Sequence, residues 1–349
     1  MARASRRRIA LALAVLVAGA SLGAPAGAET GLPTTAECGG LTGRPAFATW
    51  SHVVVIAFEN KGYDDVLGPG APAPYFQALA ADCGVATEMH AIEFPSLPNY
   101  IALASGPIPP FIADDGSHKR GRDCTPGGPC VSHDPSIFSQ LGGTGWSGWA
   151  ESMPAPCSPD NSRDGLYVPR HNPAVYFTGL AGDCRVDDIP PPDPAIPSTT
   201  FTFVMPNTVD DMHSGPAQVE AGDAWLQRFL PPILASPDYQ AGRTAVFLWF
   251  DTPTGQEGIS TPIPFVVISN WTKPGSVLTT AFDHYSLLRT LQDMTEPAPA
   301  YLGHAGDASA ADLRAAFNLC NATADPQGGC PSTRARIAPA LRADAIRAP

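Results

Sequence analysis

His52-Val-Val-Val-Ile-Ala-Phe58, followed at once by Glu59-Asn60, is the stretch on which the fold turns. From Val53 to Phe58 the run is apolar without alternation and is rich in β-branched residues. A strand that is apolar on both faces has to be covered on both faces, which describes a parallel sheet between helical layers. Similar runs recur at 201–205, 245–250 and 264–268. Between them the apolar spacing changes to that of helices at 75–81, 99–104, 221–234 and 282–294. Buried strands alternating with amphipathic helices predict an α/β fold, a layered sandwich whose central sheet is mostly parallel and flanked by helices.

Working outward, Arg3, Arg6, Arg7 and Arg8 precede an apolar run that leads to Ala26-Gly27-Ala28. Basic residues, a short apolar core and a small-residue site read as an export leader over residues 1–28. Ser5-Arg-Arg-Arg-Ile9 also fits a twin-arginine signal. No later stretch reaches the ~18 uninterrupted apolar residues of a spanning helix, so no stable membrane insertion is expected. All eight cysteines lie beyond the leader, an even number that suits disulfides in an oxidising compartment. Local loops 124–130 and 320–330 are the simplest pairings. The 33 acids against 21 Lys and Arg argue against a nucleic-acid partner, whose phosphates call for basic surface. The remainder, 29–349, reads as one domain. Within it, 106–198 is rich in Pro, Gly, Asp and Cys and reads as a disulfide-tied insertion over the active-site edge of the sheet.

Ligands of open α/β sheets bind beyond the carboxyl ends of the strands. At those ends this chain carries Glu59 and Asn60, then Asp210, Asp211 and His213, then Asp251. Carboxylates with imidazole make a metal site. A carboxylate after a strand is commonly only a turn residue or a helix cap, so the repetition at one edge is what carries the inference. His284, in Phe282-Asp-His-Tyr-Ser-Leu-Leu-Arg289, reads on its own as a packing residue at a helix start. Phe94-Pro-Ser-Leu-Pro-Asn-Tyr100 leads into an apolar helical stretch and puts Ser96 at a helix N-terminus, where free N–H groups favour phosphate. A serine there can attack phosphorus when a cation lowers the pKa of its hydroxyl. Asn99, one turn on, could donate to a phosphate oxygen. Trp146 and Trp149 read as core, while Arg170 and His171 read equally as pocket neighbours or as a solvated pair.

These segments, in this order, resemble the phosphoesterase family of bacterial acid phosphatases and phospholipases C, within the alkaline-phosphatase superfamily. The matching residues are 52–60, Pro95-Ser-Leu-Pro-Asn-Tyr-Ile-Ala-Leu-Ala-Ser-Gly106, Phe203-Val-Met-Pro-Asn207 with Asp211-Met-His213, Gly222-Asp-Ala-Trp-Leu226 and 283–289. Secreted actinobacterial acid phosphatases, some acting on phosphatidylinositol 3-phosphate, are the nearest in pattern. The resemblance implies an alkaline-phosphatase-like fold and Ser96 as a nucleophile that becomes phosphorylated. It implies Asn99 and His213 as phosphate-binding residues, and Glu59, Asn60, Asp211, His213, Asp251 and His284 as metal ligands.

The ion so implied is divalent or trivalent, with zinc, calcium, iron, magnesium and manganese all compatible. The substrate implied is a phosphorylated small molecule or a phosphoinositide or phospholipid headgroup. Two positions depart from the family pattern: Phe94 stands where a His is usual before Pro-Ser, and Thr252 where a second acid follows the aspartate. The expected activity is that of a secreted, metal-dependent acid phosphatase on monoesters. A phospholipase C-type diesterase and a catalytically decayed secreted binding protein are the alternatives. A sulfatase would need Arg at Tyr100, and no Gly-x-Ser-x-Gly elbow of an α/β-hydrolase occurs.

Overall fold

The computed structural model describes residues 37–43, 50–113, 121–180, 182–255 and 257–319. The putting-together starts from β1 (His52–Phe58), whose residues from Val53 onward are fully buried. It lies between β6 (Phe201–Met205) and β7 (Thr244–Phe250) and is parallel to both. Phe58 at its end stands opposite Phe250, so neighbouring strands deliver their next residues side by side. Truncating a strand residue such as Ile56, fully buried here, to Ala would cost about 2–5 kcal/mol.

The sheet continues on both sides. Beyond β6 come β4 (Trp146–Ala150) and then β5 (Asp188–Ile189), both parallel. Beyond β7 come β8 (Phe265–Ile268), β2 (Gly84–Ala86) and β9 (Ser276–Leu278), giving the order β5-β4-β6-β1-β7-β8-β2-β9. β8 runs antiparallel to both β7 and β2. Among the described residues it follows β7 with no helix between them, and a parallel return needs a crossover connection. The remaining strands, β3 (Met89–His90) and β10 (Phe282–Asp283), form a separate parallel pair. The fold is therefore α/β with a mostly parallel central sheet flanked by helices.

Segment 106–198, expected as an insertion, contributes β4 and β5 to the sheet itself. Trp146-Ser-Gly-Trp-Ala150 carries no β-branched run, which is why the sequence does not announce the strand. Trp146 and Trp149 are both buried, as core residues. The disulfides are Cys38–Cys83, Cys124–Cys130 and Cys157–Cys184. The 320–330 pairing and the leader 1–28 lie outside the described residues, as does everything after 319.

Two helices matter for the site. Ser96–Ser105 is buried along its whole length and ends at Gly106, whose φ of 87° suits glycine and where an added Cβ would lie 2.5 Å from the Leu302 carbonyl oxygen. Gln218–Phe229 packs its Trp225 against Phe58 and sends the Asp223 carboxylate to the N–H groups of Tyr75 and Phe76. Those N–H groups open the helix Pro74–Asp82, so one carboxylate caps a second helix. The expected helix at 282–294 begins later, at His284, with Asp283 as its cap through Ser286 N–H at 2.9 Å.

Candidate active site

β1 and β7 each turn directly into acid, and the turn that follows β6 brings two more residues to the same edge. Glu59 follows β1, Asp251 follows β7, and the turn after β6 brings Asp211 and His213. The first two turns are joined by the backbone, since the Glu59 N–H donates to the Asp211 carbonyl at 2.8 Å. Asn60 and Met212 both have left-handed backbones, with φ of 53° and 74°. Asn tolerates that region, whereas Met there carries local strain of the kind that clusters at functional sites.

Glu59 is fully buried and lies at the centre. Its Oε2 accepts from Ser96 Oγ at 2.8 Å and from the Asn60 side chain at 2.7 Å, and its Oε1 accepts from the Tyr100 hydroxyl at 2.7 Å. Ser96 begins its helix, as the sequence predicts, and Tyr100 follows one turn later on the same face. Asp251, also fully buried, accepts the Asn60 N–H at 3.0 Å through Oδ1. His171 enters from a 3-10 turn of segment 106–198, stacked on Tyr100 with centroids 5.7 Å apart. Its Nε2 lies 3.2 Å from Glu59 Oε1 and its Nδ1 lies 3.0 Å from Asp211 Oδ2. Close as they are, these contacts lack hydrogen-bond direction: His171 Nε2, Asp211 Oδ2 and Asp251 Oδ2 are buried with no hydrogen-bond partner.

Burial sets the electrostatics. It pushes the Glu59 carboxyl well above the usual range, and the charges of Asp251 and Asp211 add to the effect. It pushes Asp211 up to about 7 and Asp251 up to about 6, the latter against the hydrogen bond from the Asn60 N–H. His171 falls to about 3, through burial and then the nearby Arg170, so its ring is neutral. Three carboxyls that resist ionisation, a neutral imidazole and orphaned lone pairs together form a donor set suited to a cation. One ligand atom each from Glu59, His171 and His213 lies within 4.8 Å of the others, so the residues fit an ion.

Two expected site residues serve elsewhere. His284 reaches the same strand end, but its Nε2 contacts the Asp251 carbonyl oxygen at 2.7 Å and its Nδ1 the Trp249 indole N–H at 2.9 Å. Neither ring nitrogen remains for a metal, and His284 instead holds the backbone of Asp251. Asn99 is fully buried, and its side-chain N–H groups donate to the carbonyls of Glu93 and Pro95, while its oxygen accepts from Ile92 and Glu93 N–H. With both donors engaged it shapes the loop that presents Ser96 and has no free donor for phosphate. Asp210 turns to Asn207 at 2.6 Å, away from the cluster. Thr252 donates to the Pro253 carbonyl at 2.6 Å.

Tyr100 and Lys61 join the site without a sequence motif that assigns them to it, and His171 proves to be a pocket residue rather than half of a solvated pair. Tyr100 was findable from its spacing to Ser96. His171 sits in a segment without periodicity, so no pattern could place it. Beside the Ser96 helix a cavity of about 180 Å³ is lined by Asp123, Cys124, Thr125, Asn161, Pro169 and Arg170. Asp123 accepts the Leu97 N–H at 3.0 Å and pairs with Arg170 Nε at 3.5 Å.

Known proteins bear on this arrangement. The chain is 30% identical over 255 residues to a phosphatidylinositol-3-phosphatase of Mycobacterium tuberculosis, covering 71% of this chain and 78% of that protein. It is 26% identical to a phosphate-repressible acid phosphatase of Penicillium chrysogenum, over 69% of this chain and 58% of that longer protein. Among solved structures, a protein of the alkaline phosphatase superfamily from Vibrio parahaemolyticus superposes with a TM-score of 0.50 at 14% identity, covering 73% of this chain and 69% of the other, a likeness of fold. Residues 69–296 match the Phosphoesterase family, a span that includes Ser96 and both later strand ends. The chain thus belongs to the Phosphoesterase family and is a hydrolase acting on phosphoric ester bonds.

Proposed function

We propose that the protein is an exported, metal-dependent acid phosphatase that hydrolyses phosphomonoesters through a phosphoserine at Ser96. The observation that carries this reading is the Ser96 hydroxyl, first residue of a buried helix, donating at 2.8 Å to a carboxylate within a cluster of three. At that helix start Asp123 takes the Leu97 N–H and Pro98 has none, so the N-terminal dipole of the helix, more than a set of free donors, favours phosphate oxygens there. Once ionised, Glu59 accepts the Ser96 proton at Oε2 as Oγ bonds to phosphorus, and the ester oxygen departs as the alcohol, taking a proton from water. Tyr100 and Asn60 hold Glu59 in place for this step. Water then cleaves the phosphoserine and restores the hydroxyl.

A divalent or trivalent cation would be held by Glu59, His171 and His213, with Asn60, Asp211 and Asp251 beside them. It would supply positive charge to the phosphoryl oxygens and lower the pKa of the serine hydroxyl. The relatives support phosphorylated substrates, a phosphoinositide headgroup among them. The cavity carrying Thr125, Asn161, Asp123 and Arg170 suits a hydroxyl-rich leaving group. Three disulfides are compatible with an extracellular protein, and no described helix is long and apolar enough to cross a membrane.

The test is hydrolysis of a chromogenic phosphomonoester beside a choline phosphodiester, with Ser96→Ala as the control. Monoester turnover should dominate, and Ser96→Ala should abolish it while thermal unfolding stays nearly unchanged. Preferential diester cleavage would shift the reading to a phospholipase C type. Near-normal activity in Ser96→Ala would remove the nucleophile.

A further inference from the structure

Lys61 follows the Glu59-Asn60 pair directly and is only 6% exposed, an uncommon place for an ammonium. Its Nζ donates to the carbonyl oxygen of Asn60 at 3.0 Å and to that of Met212 at 2.9 Å. These are the carbonyls of two residues held in left-handed backbone, one in each acid-bearing turn. Each turn delivers its next contact through a backbone N–H. Asn60 N–H holds Asp251 Oδ1, and His213 N–H holds Asp211 Oδ1 at 2.7 Å. A turn that relaxed from positive φ would rotate the peptide carrying these groups, and the carboxylates would lose their aim.

The two turns come from strands about 150 residues apart in sequence, a separation reflected in the Lys61–Met212 contact itself. Among the described residues, the backbone bond from Glu59 N–H to the Asp211 carbonyl also joins them. Burial lowers the Lys61 pKa, and the nearby carboxyls of Asp65, Asp211, Glu59 and Asp251 oppose that shift. Hydrogen bonds from a charged donor are roughly twice as strong as neutral ones, and here both acceptors are main-chain carbonyls of left-handed residues.

We infer that Lys61 is a positioning residue, a clamp that locks the Asn60 and Met212 turns in left-handed backbone and thereby aims Glu59, Asp251 and Asp211 at the Ser96 hydroxyl. The inference rests on the proposed function only for what the aimed carboxylates do. The clamp itself is a statement about two turns.

The experiment measures amide hydrogen exchange and monoester kinetics in Lys61→Met, Lys61→Gln and Lys61→Arg on the full chain. In Lys61→Met the amides of Asn60 and His213 should exchange together, about tenfold faster or more, while those inside β1 and β7 keep their protection. Turnover should fall by about 10²-fold with KM changed far less, and Lys61→Arg, which keeps charge and donors, should recover most of both effects. Should Lys61→Met fail to fold, Lys61→Gln carries the same comparison with a weaker donor. Wild-type protection at Asn60 and His213 in either variant would overturn the clamp. So would loss of protection spread evenly through β1 and β7, which would make Lys61 a general stability residue. Faster exchange at the two turns in a protein that hydrolyses no monoester would keep the clamp and discard the phosphatase reading.

Discussion

Two groups of buried carboxylate belong to the same sheet, and only one of them looks built for chemistry. Around Glu59, three acids converge with a serine, a tyrosine and two imidazoles, and several lone pairs are left without partners. Around Asp188, at the outer strand β5, one fully buried carboxylate accepts from the Asn172 side chain at 2.8 Å and packs beside the Cys157–Cys184 disulfide. Those sulfurs also lie within ligand distance of one another and of Asp188, but as a disulfide they offer no thiolate. Burial raises the pKa in both places, Asp188 to about 7. Burial and a displaced pKa therefore do not by themselves distinguish a reactive carboxylate from a structural one. Lack of partners does not either, since Asp188 Oδ1 and Asn172 Oδ1 are also unpaired; convergence of several such groups on a nucleophile, Ser96, does.

The sharpest way to break that contrast is to neutralise each carboxylate in turn. Glu59→Gln should lower turnover by about 10³-fold and reduce bound metal, measured by elemental analysis of the purified variant. Asp188→Asn should leave turnover within about threefold of wild type, because its nearest link to the site runs only through Asn172. Equal losses in the two variants would erase the distinction.

A smaller effect should come from behind the site. Gly222, in the helix Gln218–Phe229, lies under the Met212 side chain, and an added Cβ would stand 2.4 Å from Met212 Cγ and 3.0 Å from the Asp210 carbonyl oxygen. Gly222→Ala should therefore push the Asp211–His213 turn and cut turnover by about 10-fold to 100-fold, although no atom of residue 222 belongs to the site. Activity unchanged, with the melting temperature lowered, would show that the turn tolerates the shift.

The gentlest test uses pH. Asp188 has its folded pKa raised from 3.8 to about 7, so the folded protein keeps a proton that the unfolded chain releases. Its contribution to stability is complete below pH ~4 and is lost as pH rises through about 7, an effect on the order of a few kcal/mol. Thermal unfolding of the wild type should move to lower temperature across that window. In Asp188→Asn the slope should flatten, and a slope left unchanged would mean that other groups carry it.

How much of this was legible from sequence differs by kind of residue. β1, β6 and β7 are written in largely apolar runs, broken inside β6 only by the buried Thr202, because a strand covered on both faces has little room for polar side chains. Glu59, Asp211 and Asp251 were legible because strand ends in a parallel sheet share an edge. β4 and β5 were not, since the short Trp146–Ala150 segment is specified by packing rather than propensity. His284 and Asn99 matched their expected positions in the chain but not their expected tasks, since both ring nitrogens of one and both amide donors of the other are taken up by neighbouring groups.

From the order of its residues alone, then, this chain determined its layers, the edge at which its acids gather and the serine at a helix start. Those depend on periodicity and on neighbours in sequence. Which imidazole faces Glu59, which histidine merely supports Asp251, and how Lys61 joins two turns were decided by tertiary structure. Such contacts depend on the angles at which distant segments meet, and no local pattern encodes an angle between segments that touch only after folding.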